Sequence, residues 1–555
     1  MTNACQQGGH AGSKKEKPSL SGSRTFILGD NHRWQGGSLL IKEAVSFLDQ
    51  ANGQVETAFT RMMTSLYQVM VTGDSAWVFQ LEQDENAYQN LLASPTLRHH
   101  VQRYLDLPFL NPLVSRQFRV LSNEMLEYRA TQQLRGEMMR LWNQLHYIIG
   151  TYRVKHGALS LSENEVIHHL QNNPDQKERE KIWNGYMELG QKIAPGLVQL
   201  VHLRNRTARE NGYDDYYQMR NASQELGTST IDRIMRQLRD TLDPTYAQVK
   251  KRIDLELQEK WGTTGPLLPW DYPHPFFQQY DVKAEAVDLA AIMNQFSAWA
   301  AERGIDLEPV LKQADFFQRD QKSQANFCLN LNRGEQIKVS CNLTADWRGL
   351  SVFLHEMGHA VYELAIEKEL PFLLRQPAHT FLSESIALLF ERLAGQFSMF
   401  STEVKKRNRA EQLTNRLVKL YWTMVVARFE QELYRDPTQN LNDLWWNLVE
   451  ELQGISRPHN WDTPAWAAKA HLTTLPVYYH NYLLGEVGAS QMEQQLNRRF
   501  SAWHSIEAIN YLQQELLRPG LSFSWESVMS RSFCSALDPT YLIEDFDEIG
   551  TIGKE

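Results

Sequence analysis

Apolar residues recur every three or four positions over residues 38–258 and again over residues 345–533, and nowhere do strand and helix patterns alternate regularly. A chain patterned this way is expected to fold mainly as packed helices. Residues 121–145 and 177–211 each predict one long helix, with short polar or proline-containing breaks between such runs. The segment 262–275, GTTGPLLPWDYPHP, is too rich in Pro and Gly to be helical and can join two lobes. After a further helix at 285–303, residues 326–341 carry the one β signal, with a polar turn at Asn332-Arg333-Gly334. Centring the loop on Gly334 sets Phe327, Leu329 and Leu331 against Cys341, Val339 and Ile337. Cys328 then lies on the opposite face from Cys341, and a bridge between them would need a bulge or a slip. No repeat of solenoid length stands out.

With 42% hydrophobic and 22% charged residues, only 20 Pro and 30 Gly, the chain has the profile of a soluble globular protein. A net charge of −9 gives it no electrostatic reason to seek nucleic acid or an anionic membrane, so neither is expected as a partner. Four scattered cysteines, none in a C-x-x-C pair, do not make a disulfide framework or a cysteine-only zinc site. No apolar run approaches the roughly 18–20 residues of a membrane span. Residues 1–35 are polar without the apolar core of a signal peptide, so they are expected to be a disordered tail on a cytoplasmic protein. Residues 36–555 are then expected to form a single domain. Nothing in the pattern selects an oligomeric state.

His355-Glu356-Met357-Gly358-His359 is an H-E-x-x-H inside a helical run. Leu350, Leu354, Met357, Val361 and Leu364 recur at helical spacing and should face the core, leaving His355 and His359 one turn apart on another face. Two imidazoles so placed can share one zinc ion, and Glu356 can reach a water there as general base. With 17 histidines an accidental match is uncommon but possible, so the pentapeptide needs a third ligand beside it. Glu384 is the candidate. It lies 25 residues after His359 in an apolar helical stretch, where a carboxylate is costly unless paired or bound to metal. Glu391, two turns on, is expected to accept from an imidazole or to pair with Arg392 or Arg375, and is the lesser candidate for the ligand itself.

These residues resemble the zinc peptidyl-dipeptidases of the angiotensin-converting-enzyme type, with a second likeness to the thimet-type oligopeptidases. The likeness runs with gaps over about residues 204–491. It is carried by H-E-M-G-H with the following Leu370-Pro371, by Leu444-Trp445-Trp446-Asn447-Leu448, by Leu452-Gln453-Gly454-Ile455, and by the stretch from Arg204 to Gly212-Tyr213. The 25-residue spacing to Glu384 is the oligopeptidase one; converting enzymes place that Glu one residue sooner.

Lys469-Ala470-His471 followed by Tyr478-Tyr479-His480-Asn481-Tyr482 is similar to the family's substrate-gathering segment. The resemblance implies that Lys469 and Tyr478 hold a free C-terminal carboxylate, with Tyr479 beside them, and that His471 bonds substrate carbonyls. Gln279 is a further candidate for the carboxylate. An ammonium and a phenol favour a carboxylate over a neutral mid-chain peptide bond. The oxyanion-stabilising Tyr falls on Tyr482 after a one-residue shift, since the unshifted position is Asn481. His480 stands where converting enzymes have a chloride-associated Arg, so chloride activation is not carried over, and Leu388 replaces an Asp that orients a zinc-bound His.

The resemblance therefore implies a mainly α, two-lobed ellipsoid with a deep channel, residues 36–140 as lid helices, residues 314–500 as the catalytic region and a small hairpin beside the zinc site. The expected activity is zinc-dependent hydrolysis of oligopeptides, with release of C-terminal dipeptides; the nearest rival is an endo-acting oligopeptidase. A catalytically silent peptide-binding protein is the reading from another class, and the presence of Glu356 with all three presumed ligands argues against it.

Overall fold

The computed structural model describes residues 38–108, 110–280, 286–396, 400–547 and 549, and the expected N-terminal tail lies outside them. The fold is mainly helical, 71% of the described residues. In order it runs α1 (Ser38–Thr72), α2 (Ser75–Leu92), α3 (Pro95–Leu105), α4 (Pro112–Glu124), α5 (Gln132–Thr151), β1 (Val154–His156), β2 (Leu159–Leu161) and α6 (Glu163–Asn172). Then come α7 (Gln176–Glu210), α8 (Tyr216–Ser223), α9 (Thr228–Trp261), α10 (Leu289–Ala301), α11 (Glu308–Leu311), β3 (Phe327–Asn330), β4 (Ile337–Ser340), α12 (Trp347–Ala365) and α13 (Thr380–Glu391). The C-terminal part holds α14 (Thr402–Arg435), α15 (Leu441–Gln453), α16 (Ala470–Thr474), α17 (His480–Arg499), α18 (Ile506–Leu512), α19 (Trp525–Phe533) and α20 (Thr540–Asp547).

The long helix expected over 177–211 is α7, but the one expected over 121–145 is two helices. Thr131 caps α5 by accepting from the Leu134 amide, and a short 3-10 turn separates it from α4. A hairpin, β1–β2, was not foreseen; its three-residue strands are too short to show alternation, and Gly157 turns between them at φ 59°. The second hairpin differs from expectation by one residue of register. Phe327 pairs with Ser340 and Cys328 with Val339, and the Leu331 amide donates to the Gln336 carbonyl, so four residues span the loop rather than five. The slip moves Cys328 onto the face that carries Cys341, and both remain free thiols.

Two apolar cores result. The larger is built around α7, α9, α12, α13, α14 and α17. The smaller joins α1–α4 to the turn Phe372-Leu373-Leu374, which lies on the chain between α12 and α13. Arg333 in the β3–β4 loop ties this second core to the hairpin. Its guanidinium lies 4.5 Å from the Phe59 ring and 4.7 Å from the Phe372 ring and donates to Glu124 at 2.9 Å.

Helices α12, α13 and α17 pack side by side at backbone range. A Cβ on Gly358 would fall 2.7 Å from the Ala387 Cα, and one on Gly485 would fall 2.8 Å from the Glu384 Cβ. Glycine is what lets these three helices come so close.

Candidate metal centre

Helix α12 begins where Asp346 accepts from the Gly349 amide at 2.8 Å, and Gly349 itself sits where a side chain would strike the Thr344 carbonyl. The helix buries Leu350, Leu354, Met357 and Val361, as the apolar spacing requires, and turns His355 and His359 toward α13. Helix α13 is capped by His379, whose Nδ1 accepts from the Phe381 amide at 3.0 Å, and carries Glu384 to the facing position. Glu384 Oε2 lies 3.6 Å from His355 Nε2 and 3.9 Å from His359 Nε2.

A metal ion fits this triad. Tetrahedral ligands bound at about 2.0–2.1 Å stand roughly 3.3 Å apart; the two Glu384–imidazole distances are close to that, and all three donor atoms lie within 4.8 Å of one another. Moreover, Glu384 Oε2 is buried without a hydrogen-bond partner, a costly state for a carboxylate oxygen that a cation would relieve. The other Glu384 oxygen accepts from the Tyr478 phenol at 2.5 Å.

Each imidazole is also held from behind. His359 Nδ1 lies 2.8 Å from Ser383 Oγ, and His355 Nδ1 faces Glu391 Oε2 at 3.6 Å. Glu391 thus takes up the orienting position one turn beyond Leu388. Burial depresses the His359 pKa well below its ordinary value, helped by the neighbouring His355, and keeps that ring neutral. Burial pulls His355 the same way, but Glu391, Glu356 and Glu384 outweigh it and lift the group to about 9. Glu356, 7% exposed, is pushed up to about 7 by burial and by Glu384, with His355 opposing. A carboxyl titrating there suits proton transfer near neutral pH.

His355 and Glu356 open onto a cavity of about 820 Å³ that is also lined by Gln278, Gln279, Lys469, His471, Tyr479 and Tyr482. Most of the sequence-derived site residues therefore converge on one space. Burial and Lys469 together bring His471 down to about 3, so it is a neutral hydrogen-bonding ring. Its centroid is 5.2 Å from that of Tyr479 and 6.5 Å from that of Tyr482. No described residue bonds the Tyr482 hydroxyl.

Two expected contacts are arranged differently. Tyr478 is not at Lys469: its phenol is turned to Glu384, and the rings beside the Lys469 ammonium, each at 5.5 Å, are those of Trp422 and Tyr479, the Tyr479 hydroxyl accepting from Trp422 Nε1 at 2.8 Å. Just before the tyrosines the chain turns at Val477, whose φ is 57°. Likewise, Lys469 Nζ donates to Gln278 Oε1 at 2.9 Å, while Gln279 Nε2 meets His274 Nε2 at 2.7 Å. Trp422, Gln278 and Ser383 were not foreseen as site residues, because nothing in their local sequence marks them.

Two family models match the chain: angiotensin-converting enzyme, peptidase family M2, over residues 40–268, and peptidase family M3 over residues 312–546. The chain is a metallopeptidase. Its first half is like the converting enzymes, whereas the M3 match takes in both histidines, Glu356, Glu384, Lys469 and the tyrosine run. Both families act on peptides.

Proposed function

We propose that this metallopeptidase is a zinc enzyme that trims oligopeptides from the C-terminus, releasing dipeptides. The observation that carries this reading is Lys469, an ammonium inside the same cavity as Glu356, held by Gln278 and flanked by the rings of Trp422 and Tyr479. A cation so placed recognises a carboxylate, and in a peptide substrate the chain end supplies one. Tyr479, rather than Tyr478, is its phenolic partner.

His355, His359 and Glu384 hold the ion, which when bound supplies a Lewis acid for the scissile carbonyl and acidifies water. Glu356 takes the proton of the attacking water and returns it to the leaving amine. Tyr482 and neutral His471 donate hydrogen bonds to the oxyanion as charge develops on it. Among the described residues strand β3 pairs only with β4, and its other edge offers backbone groups to an extended substrate. Helices α1–α4 serve as the lid over the cavity.

An endo-acting oligopeptidase is the second reading, favoured by the M3 match over the catalytic half. Digesting one octapeptide with a free and with an amidated C-terminus separates the two. The dipeptidase reading expects the free acid to be cut at least tenfold faster and the products to be a hexapeptide and a dipeptide. Equal rates would remove the role given to Lys469.

A further inference from the structure

The segment from Arg204 to Tyr213, singled out in the sequence, supplies no group to the cavity, and its use lies elsewhere. Arg204 is buried on α7 and donates to the Thr473 carbonyl at 3.3 Å and to the Tyr434 hydroxyl at 3.0 Å. From α14, buried Glu430 accepts from the Val477 amide at 2.7 Å. The two side chains thus fasten both ends of the loop that leads from His471 into the tyrosine run.

Val477 is the unusual member of this loop. It is 1% exposed and sits at φ 57°, a left-handed conformation that is strained for a β-branched residue. Such a conformation persists only where its surroundings over-determine it. The next residue is Tyr478, which reaches Glu384, and the one after it is Tyr479, which is bonded by Trp422 two turns earlier on α14. Were Val477 to relax to negative φ, the chain direction would change and Tyr478 would leave Glu384.

We propose that Glu430 is a positioning residue for the metal centre: by accepting the Val477 amide it holds the left-handed turn that brings the Tyr478 hydroxyl onto Glu384. Burial pushes the Glu430 carboxyl up to about 8, with the Val477 amide and Arg204 opposing, so near neutral pH it is largely a neutral acid whose carbonyl oxygen still accepts. A glutamine should therefore replace it, and a leucine should not.

The inference rests on the peptidase reading above, and the test separates the two. Zinc dissociation constants from chelator competition, thermal unfolding and peptide hydrolysis are measured on the full chain and its variants. Glu430→Leu is expected to raise the zinc dissociation constant about tenfold, the size usual for losing a partner behind a ligand, and to lower kcat at least tenfold with KM changed less than threefold. Adding Val477→Gly should return both to within threefold of wild type, because glycine takes positive φ without penalty. Glu430→Gln should stay within threefold throughout. A double variant as impaired as Glu430→Leu, or a Glu430→Leu chain that loses only thermal stability, overturns the proposal. Should Glu430→Leu fail to fold, Glu430→Gln decides: a tenfold loss in zinc affinity or kcat overturns the proposal, and wild-type values support it. No hydrolysis by the wild-type chain would defeat the peptidase reading but leave the zinc measurement able to test the turn.

Discussion

Tyr478 and Glu384 are joined by a 2.5 Å hydrogen bond, so one carboxylate oxygen is committed to a phenol while the other faces two imidazoles. The phenol fixes the rotation of the carboxylate, and that rotation decides which oxygen is offered to a cation. Tyr478→Phe should therefore weaken zinc binding about tenfold while leaving any preference for free C-termini intact. Tyr479→Phe should do the reverse. Zinc competition and paired free-acid and amide peptides measure the two effects, and a Tyr478→Phe chain with unaltered zinc affinity would contradict the assignment.

Glu356→Ala should keep the metal and lose turnover by about 10²–10⁴, the range for a missing general acid–base group. Metal analysis of the purified variant beside a peptide assay reads both quantities. Metal lost along with activity would instead make Glu356 part of the scaffold.

Gly358→Ala places a methyl 2.7 Å from the Ala387 Cα, against backbone that has no side-chain end to swing away. A destabilisation of about 1–3 kcal/mol is expected, visible as a drop of a few degrees in Tm. Gly395, whose Cβ would meet nothing within 4 Å, is the control position at which alanine should leave Tm unchanged.

Asp545 on α20 lies 2.9 Å from Arg416 and accepts from Ser490 at 2.6 Å. Burial pushes its carboxyl upward, but Arg416 and Arg392 outweigh it and hold the group at about 2, below its ordinary 3.8. A carboxyl depressed by folding stabilises the protein above the unfolded pKa, and that contribution is lost as pH falls through the folded one. Asp545→Asn should thus cost on the order of 2 kcal/mol near neutral pH, with the gap to wild type closing between about pH 4 and pH 2. Urea unfolding across that range provides the measurement.

The meeting of His355, His359 and Glu384 was legible because its information is local. A four-residue helical spacing places His355 beside His359, and a lone carboxylate in the apolar run around Glu384 has few other uses. The arrangement of the tyrosines was not, since whether Tyr478 or Tyr479 meets Lys469 depends on one positive φ at Val477 that the neighbouring α14 enforces through Glu430. The hairpin register failed for a similar reason. Both Gly334-centred and four-residue loops bury apolar residues, and the choice turns on hydrogen bonds that the Gly334 amide donates to the side-chain oxygens of Asn330 and Asn332. Gly358 and Gly485 show the same limit, because the closeness of two helices is not written in the sequence of either one.

The turn Phe372-Leu373-Leu374 belongs to the smaller core with α1–α4, yet it is also part of the covalent tether between His359 and Glu384. The Leu373 amide even donates to Asn52 of α1 at 3.0 Å. Those N-terminal helices are therefore not a flap hung at a distance on a flexible hinge: they grip the cord that sets how far the third ligand stands from the first two. Trimming them away would strip that cord of its apolar cover.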